Sequence, residues 1–293
     1  MAFSDMFTVS SFYQFTDQTE PELASRQRRL EQMGPELDLL GLVILAGEGC
    51  NGTVAGSDEA VLALEQELRS WYGELECKRS RSAVAPFRRW KIDRRPQAVS
   101  AGTWAPPPPK RNHLSPSEWH ARLQDSEALV LDVRNRYEIE IGAFPRAIDP
   151  ETANFGEFER FLETTDLPRN RPLLTYCTGG IRCEKALGAL ERAGFQEVYQ
   201  LHGGILSYLE QYPDGLFEGE CYVFDERVAV DHELAPTRRW SHCPHCGAPA
   251  DELRECSLCS TPTRICPGCL ARGQTTCSKA CRSHFLAGRG AER

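Results

Sequence analysis

The chain of 293 residues is long enough for two domains and a smaller module, and 41% hydrophobic with 26% charged residues is the make-up of a soluble globular protein. A formal net charge of −8 gives it no overall attraction to nucleic acid. The N-terminus lacks a basic stretch followed by an apolar one, and no window approaches the roughly 18 apolar residues of a membrane span, so a cytoplasmic protein with no membrane partner is expected.

In chain order, residues 1–99 alternate strand-like and helix-like runs. "MFTVSSFYQF" has period two and reads as a strand, "PELASRQRRLEQM" as a helix opened by Pro21, and "LDLLGLVILA" as a buried strand. A glycine-rich turn, "GEGCNGTVAG", leads into a second strand; "SDEAVLALEQELRSWY" follows as a helix with Ser57 as N-cap, and "FRRWKID" is a last strand. The order β-α-β-β-α-β predicts a ferredoxin-like or acylphosphatase-like α+β domain. Residues 100–114 form a proline-rich linker, stiffened by Pro106 to Pro109. Residues 115–234 are a second α/β region. Its short apolar strands "ALVLDV", "PLLTY" and "EVYQL" are separated by helices, which predicts a parallel sheet covered on both faces. Residues 235–285 are rich in cysteine, and 286–293 are expected as a disordered tail.

Sites in parallel sheets form at the carboxyl ends of strands, and "CTGGIR" directly follows "LLTY". A tight loop running into a helix N-terminus turns successive N–H groups inward. A thiolate at Cys177 would sense those groups, the helix dipole and Arg182, each of which lowers a thiol pKa. Gly179 and Gly180 are expected at positive φ, leaving the sulfur uncovered between Thr178 and Ile181. Cys177 is therefore the expected nucleophile, accessible and reactive. Cys183, in the first helical turn, is placed to pack, to polarise Cys177 or to resolve its oxidised form.

Lys78, Arg79, Arg81, Arg88, Arg89, Lys91, Arg94, Arg95, Lys110 and Arg111 face a single acid, Asp93, within 34 residues. That local excess is the footprint of a phosphate-binding surface, with Arg79, Arg81, Arg88, Arg89, Lys91, Arg94 and Arg95 as candidate RNA contacts. Phe87, Trp90 and Trp104 are interleaved and placed to stack on bases; the bland alternative is a solvated basic face with the aromatics in the core.

Eight of the 13 cysteines follow Trp240. In a reducing compartment they indicate metal rather than disulfides. "CPHC", "CSLC", "CPGC" and "CSKAC" supply Cys243, Cys246, Cys256, Cys259, Cys266, Cys269, Cys277 and Cys281, enough for two structural tetrahedral Zn²⁺ ions. Their pairing is either sequential or cross-braced, and His242, His245 and His284 are possible substitutes for a cysteine.

"LDVRNRYEIEIGAFPRAID" followed by "CTGGIR" resembles the rhodanese domain. The run "CTGGIRCEKA…GFQEVYQLHGGILSYLEQY…FEGECYVFDERV", with "ILAGEGCNGTVAGS" and "PFRRWKI" upstream, resembles more specifically the rhodanese-like tRNA uridine 5-hydroxylase family, from about Phe7 to Leu234. The resemblance implies a central rhodanese-like catalytic domain at 115–234, and oxygen-dependent conversion of the wobble uridine in a tRNA anticodon stem-loop to 5-hydroxyuridine. Molecular oxygen would be the co-substrate, and no haem, flavin or nicotinamide fingerprint is present. The expected chemistry is addition of Cys177 to C6 of the base, with Arg182 and the loop N–H groups steadying negative charge. A rhodanese-type sulfurtransferase carrying a persulfide on Cys177 is the alternative, and an RNA-binding adaptor with an inert loop is a third reading.

Overall fold

Residues 6–101 and 112–290 are described by the structure, a computed structural model. Trp104, Pro106 to Pro109, Lys110 and Arg111 lie outside them, as do the last three residues. The chain divides into two units, Met1–Tyr222 with Val230–Ala235, and Val223–Ala229 with Pro236–Arg293.

The first unit begins with β1 (Phe7–Phe15), α1 (Glu20–Glu36), β2 (Leu40–Ala46), β3 (Gly49–Gly56), α2 (Asp58–Tyr72), β4 (Glu76–Ser82) and β5 (Trp90–Arg94). The expected cap of α2 is present: Ser57 Oγ accepts from the Ala60 N–H at 3.2 Å. The described strands form a sheet in the order β4-β1-β3-β2-β5, antiparallel except for β2 with β5. The fourth strand of the acylphosphatase-like arrangement is therefore β4, "ECKRSRS", which has none of the apolar alternation that marks a strand. Paired only with β1, it needs no apolar faces. "FRRWKID", expected as the last strand of the motif, is an added parallel strand at the opposite edge.

Side chains alternate across β1. Thr8, Ser10 and Phe12 face α2 and the core, with Ser10 donating to Glu65 at 2.8 Å. Tyr13 and Phe15 point to the other face, toward the second sheet.

That second sheet comes from β6 (His113–Leu114), α3 (Pro116–Arg122), β7 (Leu129–Asp132), α4 (Arg136–Ile139), β8 (Gly142–Ala143), β9 (Ala147–Ile148), α5 (Phe158–Thr164), β10 (Leu173–Tyr176), α6 (Ile181–Arg192), β11 (Val198–Leu201) and α7 (Gly204–Gln211). The order is β6-β11-β10-β7-β9, and all four pairings are parallel. β6 takes up two residues expected in the linker. Leu131, Leu173 and Val198 pack with Phe158, Leu187 and Leu190 of α5 and α6 in one apolar cluster.

In the second unit two short hairpins, Ser241–His242 with Pro249–Ala250 and Leu253–Glu255 with Pro262–Arg264, precede helices Pro267–Ala271 and Lys279–Gly290. The last helix runs through Gly290 and so takes in residues 286–290 of the tail expected to be disordered. No helix of the described residues is long and apolar enough to cross a membrane.

The two sheets of the first unit meet through a buried ion pair. Lys185 Nζ on α6 lies 2.7 Å from Glu48 Oε1 and 3.1 Å from the Val99 carbonyl oxygen, with its side chain fully buried. Removing one partner leaves an uncompensated buried charge, so Lys185→Met or Glu48→Leu is expected to cost about 3–5 kcal/mol. The urea midpoints of both variants measure this; losses below about 1 kcal/mol in both, the range of an exposed pair, would contradict a seam built on the pair.

Candidate active site

The loop from Cys177 to Arg182 leaves the carboxyl end of β10 and enters α6, as the sequence placed it. Gly180 sits at φ +105, a region that disfavours other residues, and caps the helix. This turn aims its N–H at the Cys177 Sγ, 3.1 Å away. The backbone N–H and the thiol of Cys183 also donate to that sulfur. Burial by itself would raise the Cys177 pKa. The Cys183 thiol, the Arg182 guanidinium and the N–H groups of Cys183 and Gly180 outweigh it, lowering the pKa to about 6. Cys183 is shifted the other way: burial first, then its bond to Cys177 and the charge there, hold it well above the ordinary thiol value. The pair is thus one thiolate accepting from one thiol.

Two expectations for the loop are corrected. Gly179 is not at positive φ, and a Cβ there would meet nothing within 4 Å, so backbone freedom is needed at Gly180 alone. Cys177 is not accessible: its relative exposure is 0%. Tyr13 of β1 lies across Gly180, its hydroxyl 2.9 Å from where a Cβ would be. On the other side, the N–H groups of Ile205 and Leu206 bind the carbonyls of Cys177 and Thr178 at 3.0 and 3.1 Å. Gly204 permits that approach, since a Cβ there would lie 2.6 Å from the Thr178 carbonyl oxygen. The sequence contains no sign of this cover because it comes from segments far away in the chain.

Arg182 is buried and doubly bonded to Glu138 on α4, with Thr178 Oγ1 at 3.2 Å. Glu138, in the segment "RYEIEI" read only as helical, was not singled out by the sequence. Nor was Glu184. It accepts from Tyr13 Oη at 2.9 Å and Gln200 Nε2 at 2.8 Å, and its Oε1 lies 3.4 Å from His113 Nε2. Burial pushes the Glu184 carboxyl up; His113, Gln200 and Tyr13 outweigh it and hold it below the usual carboxylate range. The motif "DVR" has a structural reason. Asp132 binds Arg134 through Nε at 2.9 Å and Nη2 at 2.6 Å, both side chains fully buried, and Arg134 also holds the Gly142 carbonyl.

The basic segment does not gather into one patch. Arg79 and Arg81 lie on β4, while Lys91 and Arg94 lie on β5 at the opposite edge, four strand spacings or about 19 Å away. Arg79 is committed to the buried Glu65, and Arg81 pairs with Asp58 at 2.8 Å. Lys91 and Arg95 share Asp93 at 3.1 and 2.8 Å, and Arg94 pairs with Glu20. Arg88 and Arg89 are exposed between the two strands. Phe87 is half-buried, and Trp90 is a packing residue whose Nε1 donates to the Leu30 carbonyl at 2.8 Å.

In the second unit the cysteines meet in a crossed order. Cys243 and Cys246 join Cys266 and Cys269, and Cys256 and Cys259 join Cys277 and Cys281, with the sulfurs of each group within 4.8 Å of one another. Each cluster combines a hairpin turn with a cysteine pair at the start of a helix. The turns are alike: Gly247 N–H binds the Cys243 carbonyl and Ser260 N–H that of Cys256, both at 2.9 Å, and both residues are at positive φ. Four sulfurs 2.3 Å from a tetrahedral ion lie about 3.8 Å apart. The 3.5 Å between Cys246 and Cys266, 3.6 Å between Cys259 and Cys277 and 3.8 Å between Cys281 and Cys259 fit a metal ion in each cluster. His242 instead has its ring nitrogens near the Gly247 and Asp225 carbonyls, and no histidine of the described residues joins either cluster.

Known families match three stretches of the chain, the last of which contains residues of both units. Residues 7–98 match a family described as UPF0176 acylphosphatase like domain, 115–211 a rhodanese-like domain, and 218–282 a rhodanase C-terminal region. A curated relative from Bdellovibrio bacteriovorus, named tRNA uridine(34) hydroxylase, is 40% identical over 94% of this chain and 80% of its own length. Relatives of the same name from Synechocystis sp. and Nitrobacter hamburgensis are 38% and 39% identical, over 90% and 84% of this chain and 96% and 100% of their own lengths.

The thiolate absorbance that Cys177→Ser removes is expected to titrate with a midpoint near 6. Arg182→Met should move that midpoint upward, since an attractive positive charge is lost; a wild-type midpoint near the ordinary thiol value of about 8.5 would contradict the arrangement. Separately, metal analysis should find that Cys243→Ser and Cys256→Ser each lose about half of the bound metal. Loss of all of it in either variant would mean the clusters are not independent sites.

Proposed function

The chain belongs to the tRNA uridine(34) hydroxylase family, and from that premise we propose that it hydroxylates the wobble uridine of tRNA anticodon stem-loops to 5-hydroxyuridine in the cytoplasm, with Cys177 as nucleophile. The observation that carries the role of Cys177 is its sulfur, ringed by N–H and S–H donors at the carboxyl end of β10. In this reading the thiolate adds to C6 of the uracil, and the electron density released at C5 meets dioxygen. Covalent addition of this kind divides one difficult step into easier ones. Arg182, oriented by Glu138, and the loop N–H groups then offset negative charge on the base. The sulfur is covered, so the base reaches it only when part of that cover, Tyr13 foremost, moves aside. The anticodon loop is single-stranded, which spares the cost of extruding a base from a duplex.

Phosphate contacts fall to Arg88 and Arg89 and to the β5 edge with Lys91, Arg94 and Arg95. Arg79 and Arg81 belong to a separate edge that serves the same backbone only if the RNA spans the sheet. Zinc is the metal that each cysteine cluster would hold. Four cysteines would fill its four positions, so it would supply folding energy to the module and no open position for catalysis.

Incubating the protein with tRNA, a thiol and labelled dioxygen, followed by nucleoside analysis, tests the reading. The label should enter 5-hydroxyuridine, and Cys177→Ser should abolish the product. Persistence of product in that variant would remove Cys177 from the mechanism. Unlabelled tRNA together with one sulfur gained on Cys177 after thiosulfate treatment would instead identify a sulfur carrier.

A further inference from the structure

Resting on the hydroxylase reading, we propose that Cys177 and Cys183 are a redox dithiol that supplies the two electrons the hydroxylation consumes. Inserting one atom of dioxygen at C5 leaves the second to depart as water, which requires two electrons and two protons. The described residues place such a source against the nucleophile itself. Cys183 stands in the first turn of α6, the helix whose capping Gly180 turns its N–H onto the Cys177 sulfur, and it packs in the same buried cluster as Cys177. Both side chains are fully buried, in a cluster that includes Val133, Phe158, Ala186 and Leu187. A residue needed only for packing there would have no call for a thiol; alanine or valine would fill such a site without a polar group beside an anion. Cys221, also buried, has its thiol toward the Tyr222 carbonyl at 3.7 Å.

The steps balance. Cys177 bonds to C6, and dioxygen adds at C5 and takes a proton, giving a C5 hydroperoxide. Bonding to carbon removes the Cys177 charge that held the Cys183 proton in place. The Cys183 sulfur attacks the terminal oxygen: the O–O bond breaks, C5 keeps a hydroxyl, and Cys183 becomes a sulfenic acid. Loss of the C5 proton expels Cys177 from C6 and restores the double bond as 5-hydroxyuridine. The freed Cys177 thiol then condenses with the sulfenic acid, forming a Cys177–Cys183 bridge and releasing water. The sum is uridine, dioxygen and two thiols giving 5-hydroxyuridine, water and one disulfide, which an external thiol reduces for the next cycle. Closing the bridge brings the two buried sulfurs to about 2.05 Å, across the single loop that joins β10 to α6.

The test uses reduced, full-length protein freed of external thiol, mixed with tRNA and dioxygen and quenched by alkylation. About one 5-hydroxyuridine per chain is expected, matched by a Cys177–Cys183 bridge in the peptide map, with repeated turnover once dithiothreitol is added. Cys183→Ser keeps a hydrogen-bond donor of similar size. It should turn over on the order of tenfold more slowly or worse with dithiothreitol present, while its Cys177 thiolate still titrates in the acid range. Product formed with both thiols still reduced, or Cys183→Ser at the wild-type rate, would overturn the dithiol and leave the hydroxylase reading standing. Absence of 5-hydroxyuridine under every thiol condition would overturn that reading and the dithiol with it.

Discussion

Three charged residues, Arg182, Glu184 and Lys185, are buried within the first five positions of α6, and everything around the loop follows from their need for partners. An unpaired charge in such a place costs several kcal/mol, so each one dictates what must stand beside it. Arg182 draws Glu138 from α4, Glu184 draws Tyr13 from β1 and Gln200 from β11, and Lys185 draws Glu48 from the turn between β2 and β3. These partners approach from different directions and clamp the helix start. Because β10 anchors the other end of the loop, the clamp also fixes where the Cys177 sulfur lies relative to its donors.

Burial and hydrogen bonding act on that sulfur in opposite senses, and short-range contacts decide the outcome. A thiol removed from water keeps its proton unless something nearby prefers the anion. Glu138 binds Arg182 directly, which limits what the guanidinium offers at a distance; the Cys183 thiol has the larger effect on Cys177. The thiolate therefore owes its charge chiefly to neighbours in its own turn. The same contact makes the two cysteines chemically unequal, the anion at one and the proton at the other, though they are six residues apart in the chain and equally buried.

How much of this was legible in the sequence depended on whether the signal was local. The strand before Cys177, the helix after it, Ser57 as a cap and the paired cysteines are set by neighbours within a few residues, and their patterns were readable. β4 was not, because an edge strand with alternating charge and serine has no apolar period to detect. The basic run looked like one surface because sequence distance was standing in for spatial distance; two edge positions in the sheet separate its halves. Spacing could not choose between sequential and crossed cysteine pairing, which rests on the hairpin turns at Gly247 and Ser260 facing pairs at helix starts about 20 residues later. The burial of Cys177 was hidden for a similar reason, since Tyr13 and Ile205 arrive from segments 164 and 28 positions away.

The N-terminal domain is part of the site rather than an attachment to it. The two most distinctive runs of the chain, "ILAGEGCNGTVAGS" and "CTGGIRCEKA", carry Glu48 and Lys185, and the ion pair between them is where the runs touch. Tyr13 joins the same seam, covering Gly180 and donating to Glu184. A rhodanese-like domain standing alone would leave Lys185 without its carboxylate and the loop without its cover. A displacement of Tyr13 therefore acts on the contact between the two sheets, because its hydroxyl on one side is bonded to Glu184 of α6 on the other.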